Sequence, residues 1–198
     1  ACLRHRGGEP TFEGLTVAVQ GLGHVGMALC HILHTAGANL VVADINDACV
    51  NEAVELFGAQ RATANAILQV PCDILAPCAL GAMIGPEQIK RMQATIVCGG
   101  ANNILVEPER DAAALHAKGI LYAPDFVVNA GGLIWLAGLW LGMDRKELDT
   151  RNDSIEDTTL EILEEGSSLP STHHAAIAVA QRRFAEGPIS ERETAHAS

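Results

Sequence analysis

Thr16-Val-Ala-Val-Gln20 runs directly into Gly21-Leu-Gly-His-Val-Gly26, and Leu40-Val-Val-Ala-Asp44 closes on a carboxylate. The first run is apolar and rich in valine, the signature of a buried strand. The three glycines suit a sharp strand-to-helix turn. The first permits the turn, the second lets backbone N–H groups approach a pyrophosphate, and the third lets the helix pack closely on the strand. From Val25, apolar residues recur at Ala28, Leu29, Ile32, Leu33 and Ala36, a helical stripe that Gly37 stops. The uncovered N–H groups and positive dipole end of such a helix face whatever sits on the turn. Asp44 ends the second strand at the distance where a carboxylate accepts two ribose hydroxyls and repels a 2′-phosphate. A glycine pattern alone arises readily by chance in a chain with 19 glycines, but strand, helix and terminal acid in register point to NAD rather than NADP.

The rest of the composition agrees with that reading. The chain has 198 residues, 48% hydrophobic with few aromatics, enough for one sizeable core of parallel sheet covered by helices on both faces. A formal net charge of −11 disfavours nucleic acid and anionic membranes as partners, and the acids read as solvated helix surface. The six cysteines include no CxxC pair and read as buried free thiols of a reducing compartment. His31 and His34 lie one helical turn apart and His173 and His174 are adjacent, but neither pair has thiols or acids spaced to complete a metal site. The opening residues show no charged, apolar and small leader, and the longest apolar stretch, Gly131 to Gly142, is too short to span a bilayer. A soluble cytoplasmic protein is expected.

Strand and helix signals alternate along the chain, which predicts a doubly wound, mostly parallel Rossmann-type α/β sheet followed by C-terminal helices. Asp47 is the expected N-cap of a helix carrying Val50, Ala53, Val54 and Phe57 and ended by Gly58, while residues 59–71 are ambiguous. Cys72 to Pro77, Thr95 to Cys98 and Ile120 to Ala123 read as strands; Pro86 and Pro108 open helices through Met92 and Ala117. Helical stretches follow at about 133–141, 145–165 and 171–186, and residues 187–198 read as a frayed tail. In open α/β sheets ligands bind beyond the carboxyl ends of the strands. The Gly21 turn, Asp44 with Ile45, the Pro77 to Gly81 loop, the Gly99 to Asn103 loop and the Asn129 segment all fall there.

Read together, Gly14 to Gly26, Cys72-Asp-Ile-Leu-Ala-Pro-Cys-Ala-Leu-Gly-Ala82, Gly99-Gly-Ala-Asn-Asn103 and Tyr122-Ala-Pro-Asp-Phe-Val-Val-Asn-Ala-Gly-Gly-Leu-Ile134 resemble the cofactor domain of the NAD-dependent amino-acid dehydrogenases, the leucine, phenylalanine and valine dehydrogenase group of the glutamate dehydrogenase superfamily. The resemblance covers about residues 1–186. It implies that Gly21, Gly23, His24, Val25 and Gly26 hold the pyrophosphate and that Asp44 and Ile45 meet the adenosine ribose. Pro77, Cys78 and Ala79 would line the adenosine and ribose path. Ala101 and Asn102 would sit by the nicotinamide ribose, and Asn129 would bond the nicotinamide amide or the substrate amino group. A neutral amide can both donate and accept, so it can orient a carboxamide without adding charge. Taken without the family, Asn102, Asn103 and Asn129 beside glycine read more readily as turn chemistry.

The family reaction is reversible oxidative deamination of an L-amino acid to a 2-oxo acid. The resemblance places its catalytic lysines and aspartate in a separate N-terminal domain, so that no catalytic residue is expected in this chain and that domain is an expected partner. Lys90, Lys118 and Lys146 read as surface helix residues, without the desolvated setting a lysine base needs. Residues 1–14 resemble the end of the interdomain helix, residues 15–143 the NAD-binding domain and 144–186 helices packed on it. The resemblance also implies a homo-oligomer. Two departures stand out. Ile134 to Leu139 is apolar where the family carries an asparagine and an acidic pair, and with Trp135 and Trp140 this helix reads first as buried core and otherwise as an altered pocket or partner surface. Asn152 and Ile155 fall where the family draws substrate side-chain walls, and Asn152 is polar where an apolar residue is expected. The competing reading is a stand-alone or inactive NAD-binding module with a regulatory or interaction role.

Overall fold

The computed structural model describes residues 1–7 and 10–187. A short helix α1 (Cys2–His5) precedes β1 (Thr16–Gln20), α2 (His24–Thr35), β2 (Asn39–Ala43), α3 (Asp47–Phe57) and β3 (Gln60–Arg61). A 3₁₀ turn at Ile67–Gln69 leads to β4 (Ile74–Pro77), α4 (Pro86–Arg91), β5 (Ile96–Val97), α5 (Pro108–Ala117) and β6 (Leu121–Tyr122). Then come α6 (Asp125–Val128), α7 (Gly131–Trp140), α8 (Arg145–Gly166) and α9 (Thr172–Ala185). The six strands lie in the order β3-β2-β1-β4-β5-β6 and every pair is parallel, the doubly wound arrangement expected.

Strand periodicity decides what each face buries. Ala18, Val41, Leu75 and Val97 point to one side, where Ile67, Ile84, Ile89 and Leu115 cover them. Val17, Val19, Val42, Ile74 and Ile96 point to the other, beneath Leu22, Cys30, Leu33, Val50 and Ala53. Register matters most for the site: Gln20 lies level with Ala43 on one neighbour and Pro77 on the other. Strand order reverses between β1 and β4, so Gly21, Asp44 and Cys78 emerge side by side at the switch point.

The C-terminal helices have their own small cluster, Ile162, Ala175, Ala176 and Val179. Asp144 opens α8 with a capping box: its Oδ1 accepts from Glu147 N at 2.9 Å while Glu147 Oε2 accepts from Asp144 N at 2.9 Å. Thr172 Oγ1 donates to Tyr122 O at 2.6 Å, tying α9 to the edge strand.

Several expectations change. The N-cap of α3 is Asn46, whose side chain accepts from Ala48 N at 3.0 Å, because a capping oxygen must sit one residue before the first helical one. On α2 the buried residues are Gly26, Cys30 and Leu33, whereas Ala28, Ile32 and Ala36 face solvent. The inward stripe is narrower than the apolar pattern suggested because small residues let this helix lie close to β1. Among the cysteines only Cys30 is fully buried; the other five keep partial exposure. The largest correction is α7. Leu133, Leu136 and Trp140 are 71%, 69% and 87% exposed, so this helix is not core within the described residues. The expected frayed tail beyond Gly187 lies outside the described residues.

Candidate cofactor crevice

The crevice is built from backbone that tolerates no side chains at several places. Gly21 has φ +90° and donates its N–H to Ala43 O at 2.8 Å; a Cβ there would stand 2.7 Å from Ala79 N. At Gly26 a Cβ would stand 1.9 Å from Gly21 O, so only glycine lets the first turn of α2 close over the end of β1. At Gly99 a Cβ would stand 2.2 Å from Pro77 O, which brings the loop after β5 hard against the end of β4. Gly23 differs from these: nothing lies within 4 Å of the place its Cβ would take. It is the N-cap of α2, has no side-chain cap, and Gly23, His24 and Val25 are exposed. Uncapped amides and the positive end of a 12-residue helix therefore face open space.

Asp44 closes one side. Its Oδ2 accepts from Leu22 N at 2.6 Å and its Oδ1 from Asn46 N at 2.7 Å, so the acid ending β2 holds the glycine turn itself in place. An ionised carboxylate has about four lone-pair sites, and two backbone donors leave room for further donors from a ligand. Ile45 beside it is 96% exposed, an apolar wall with nothing of its own chain upon it.

The far side is made of loops that bond each other. Cys78 N donates to Gln20 O at 2.6 Å and Ala101 N to Pro77 O at 2.9 Å. Gly100 faces Val25 and Cys78, and burial raises the Cys78 thiol above its ordinary value, opposed by a hydrogen bond with Gly100. Ala82 N donates to Asn103 O at 2.6 Å, and both residues have positive φ, +57° and +50°, a conformation asparagine bears better than alanine. Asn129 Nδ2 donates to Ala101 O at 3.1 Å and to Asn102 Oδ1. The two asparagines singled out from sequence are thus brought together, joined to one another.

The two positions on α8 fall in different surroundings. Asn152 Oδ1 is buried with no hydrogen-bond partner, about 3.5 Å from where a Cβ on Gly131 would lie, under the start of α7. Ile155 instead lines a cavity of about 510 Å³ with Val128, Cys2 and Cys98, between α1, α8 and the sheet.

Sequence reasoning missed other polar features. Lys118 is not a free surface residue: its Nζ donates to Ile89 O, Lys90 O and Met92 O at 2.6, 2.9 and 2.7 Å, closing the end of α4. Gln20 Oε1 is buried without a partner at the end of β1, and the only sequence signal was a polar residue ending an apolar run. Asp125 is buried and accepts from Ile104 N at 2.8 Å, which fixes the base of the Gly99 to Asn103 loop. Among the described residues no group of three or more His, Cys, Asp or Glu is placed to hold a metal ion, and no helix is long and apolar enough to cross a membrane.

Topology, switch point and a glycine turn opposed by a strand-ending acid define a Rossmann-type α/β domain of the dehydrogenase kind. The model of the glutamate/leucine/phenylalanine/valine dehydrogenase family matches residues 45–141. Leucine dehydrogenase of Thermoactinomyces intermedius is 46% identical over 164 residues, 83% of this chain and 44% of that protein. L-tryptophan dehydrogenase of Nostoc punctiforme is 38% identical over 190 residues, 96% of this chain and 53% of its own length. The crystal structure of L-tryptophan dehydrogenase from Nostoc punctiforme superposes with a TM-score of 0.90 at 37% identity, covering 94% of this chain and 57% of that one. The chain belongs to the glutamate/leucine/phenylalanine/valine dehydrogenase family. It spans about half the length of the curated relatives it matches.

Proposed function

We propose that this chain is the NAD-binding part of an L-amino-acid dehydrogenase acting on a hydrophobic substrate, with residues 15–143 forming the cofactor domain and 144–186 the helices against it. The observation that carries the reading is the pairing of Asp44 with the uncapped start of α2: one carboxylate holds the turn by Leu22 N and keeps acceptor capacity toward open space. In this reading the amides of Gly23, His24 and Val25 take the diphosphate. Asp44 takes the ribose hydroxyls beside Ile45, and Pro77, Cys78 and Ala79 shape the wall. Ala101, Asn102 and Asn129 orient the carboxamide, and Asn129 moves its donor from its partner oxygens to the ligand. When bound, NAD supplies the acceptor for the hydride leaving the substrate α-carbon. Asn152, with a buried acceptor left open beneath α7, would meet a donor on the substrate side.

In this reading none of the lysines serves as the proton-transfer base. Lys118 closes α4, and Lys90 and Lys146 are exposed on helices. The chain then binds cofactor without turning over alone, works with the catalytic part of the enzyme, and assembles with further copies as a cytoplasmic protein. Calorimetric titration tests the first statement: NAD binds and NADP binds at least about tenfold more weakly, the discrimination expected when an acid faces a phosphate. Equal binding of both, or of neither at millimolar concentration, overturns it. Incubation with NAD and a panel of hydrophobic L-amino acids tests the second; appearance of reduced nicotinamide with this chain alone overturns it.

A further inference from the structure

The cavity of about 510 Å³ has a feature the cofactor crevice does not explain: Cys2 on α1 and Cys98 just after β5 both line it, and their thiols lie near enough for each to shift the other's pKa. These residues come from distant parts of the chain, and both lie in the apolar cluster between the sheet and its first helices. Other polar ties on α1 are ion pairs at the surface, Ala1 N and Arg4 with Glu156 at 3.1 and 3.2 Å, of the kind that hold little in water. Cys98 directly precedes the Gly99 to Asn103 loop, so whatever fixes Cys98 to α1 fixes that helix to one wall of the crevice.

We infer that Cys2 and Cys98 form an oxidisable pair, a thiol modification site whose co-reactant is a peroxide and whose product is an intramolecular disulfide. The two thiols are set for distinct parts. Interaction with Cys98 lowers the Cys2 pKa below the ordinary thiol value against the opposing effect of burial, while Cys98 is held well above it by its interaction with Cys2 and by burial. Cys2 is the attacking thiolate and Cys98 the resolving thiol. The Cys2 sulfur attacks one peroxide oxygen; an S–O bond forms, the O–O bond breaks, and the departing hydroxide leaves as water with a proton from solvent. The Cys98 sulfur then attacks the sulfenic sulfur. The S–S bond forms, the S–O bond breaks, and the hydroxide leaves as a second water with the Cys98 proton. In total two thiols and one peroxide give one disulfide and two waters, the sulfurs losing the two electrons the peroxide gains. Partial exposure of Cys2 gives the peroxide access; Cys30, fully buried with its pKa pushed up to about 12, is the internal comparison that does not react.

The test is treatment of the folded 198-residue chain with hydrogen peroxide, then alkylation in denaturant and peptide mass mapping. Two of the six thiols are lost, the peptides carrying Cys2 and Cys98 are joined, and a dithiol restores both. In Cys98→Ser the bridge is absent and a sulfenic-acid reagent labels Cys2; in Cys2→Ser neither bridge nor label forms at Cys98 on the same timescale. The bridged protein melts at a higher temperature than the reduced one, and this difference vanishes in both variants. Six free thiols after treatment, or a bridge joining another pair such as Cys78 and Cys98, overturns the inference. So does Cys49 reacting as fast as Cys2, which would reduce the pair to ordinary exposed thiols.

Discussion

Helix α2 follows a glycine-rich turn and α7 opens on two glycines, and their apolar residues meet opposite fates. Helix α2 buries Gly26, Cys30 and Leu33 at helical spacing, with Leu29 and Met27 partly covered. Helix α7 is apolar nearly all round, yet Gly138 is its one buried residue. The difference lies in who supplies the partner. For α2 it is the adjacent strand, brought close by a turn only a few residues long, so local sequence contains both halves of the contact. For α7 one side rests on α8, where a Cβ on Gly138 would stand 2.2 Å from Leu148 Cδ2, and the other side meets nothing among the described residues. Arg145 stacks over Trp135 at 5.0 Å, a partial cover for one of its rings. An exposed apolar stripe of this sort marks a surface that other matter covers.

The contrast breaks most sharply at Gly26. Gly26→Ala pushes a methyl to 1.9 Å from Gly21 O, backbone that cannot yield without moving α2 off β1. We expect a loss of roughly 3 kcal/mol or more in denaturant unfolding, at the upper end for single substitutions, and loss of measurable NAD binding by calorimetry. An unfolding midpoint close to the parent protein would show that α2 is not locked to the sheet as described. Gly138→Ala makes the matching test in α7. Its clash is with the far end of a leucine side chain, which can turn, so about 1–2 kcal/mol is expected from overpacking.

Next in size is Asp44→Ser. It removes the acceptors for Leu22 N and Asn46 N together with the charge. We expect NAD affinity to fall by about 2 kcal/mol, near thirtyfold, since hydrogen bonds to a charged group are worth roughly 1.5–3 kcal/mol. NADP affinity falls less, so the preference narrows, and titration with both nucleotides reads it directly. An unchanged ratio of the two affinities would remove Asp44 from the ribose site.

The same contrast explains what could be read from the chain without its structure. The Gly21 turn, Asp44, the doubly wound parallel sheet and the placing of five loops at its carboxyl end were legible because each depends on neighbours close in sequence or on a parallel sheet with both faces covered. Asn46 displaced Asp47 as N-cap because two adjacent capping residues give the same signal until backbone angles choose between them. Residues 59–71, which became β3 and a 3₁₀ turn, carry no periodicity that separates two-residue pairing from loop. The roles of Lys118 and Thr172 were invisible because each bonds a carbonyl of a remote element, and a carbonyl has no residue type. Burial of α7 was misjudged because hydropathy reports what a side chain avoids and is silent on whether its own fold supplies the cover.

On the outward face of α7, Leu136→Gln should change stability by no more than about 0.5 kcal/mol, the ordinary range for a surface position, despite replacing an apolar residue in an apolar run. Thermal unfolding checks it. A loss of 2 kcal/mol, the scale of a core leucine, would mean that copies of this chain already bury the helix, and the loss would then depend on protein concentration.

The smallest effect tests the edge where α9 meets the sheet. His173 packs edge-on against Phe126 at 5.6 Å, its Nδ1 is buried without a partner, and burial, helped by the neighbouring His174, lowers its pKa below the ordinary 6.5, with Glu109 and Asp125 pulling the other way. A histidine whose pKa is depressed in the folded protein binds protons more readily when unfolded. Its contribution to stability is therefore complete above the unfolded value and is lost as pH falls through the folded one. Between pH 7 and about 5.5, above the range where carboxylates titrate, the melting temperature should decline. It should decline less in His173→Gln, which keeps a neutral polar group in the same place. Equal slopes would show that protonation of His173 does not act on the contact between α9 and Phe126. A steeper slope in the variant would reverse the sign and point to the pull of Glu109 and Asp125 outweighing burial.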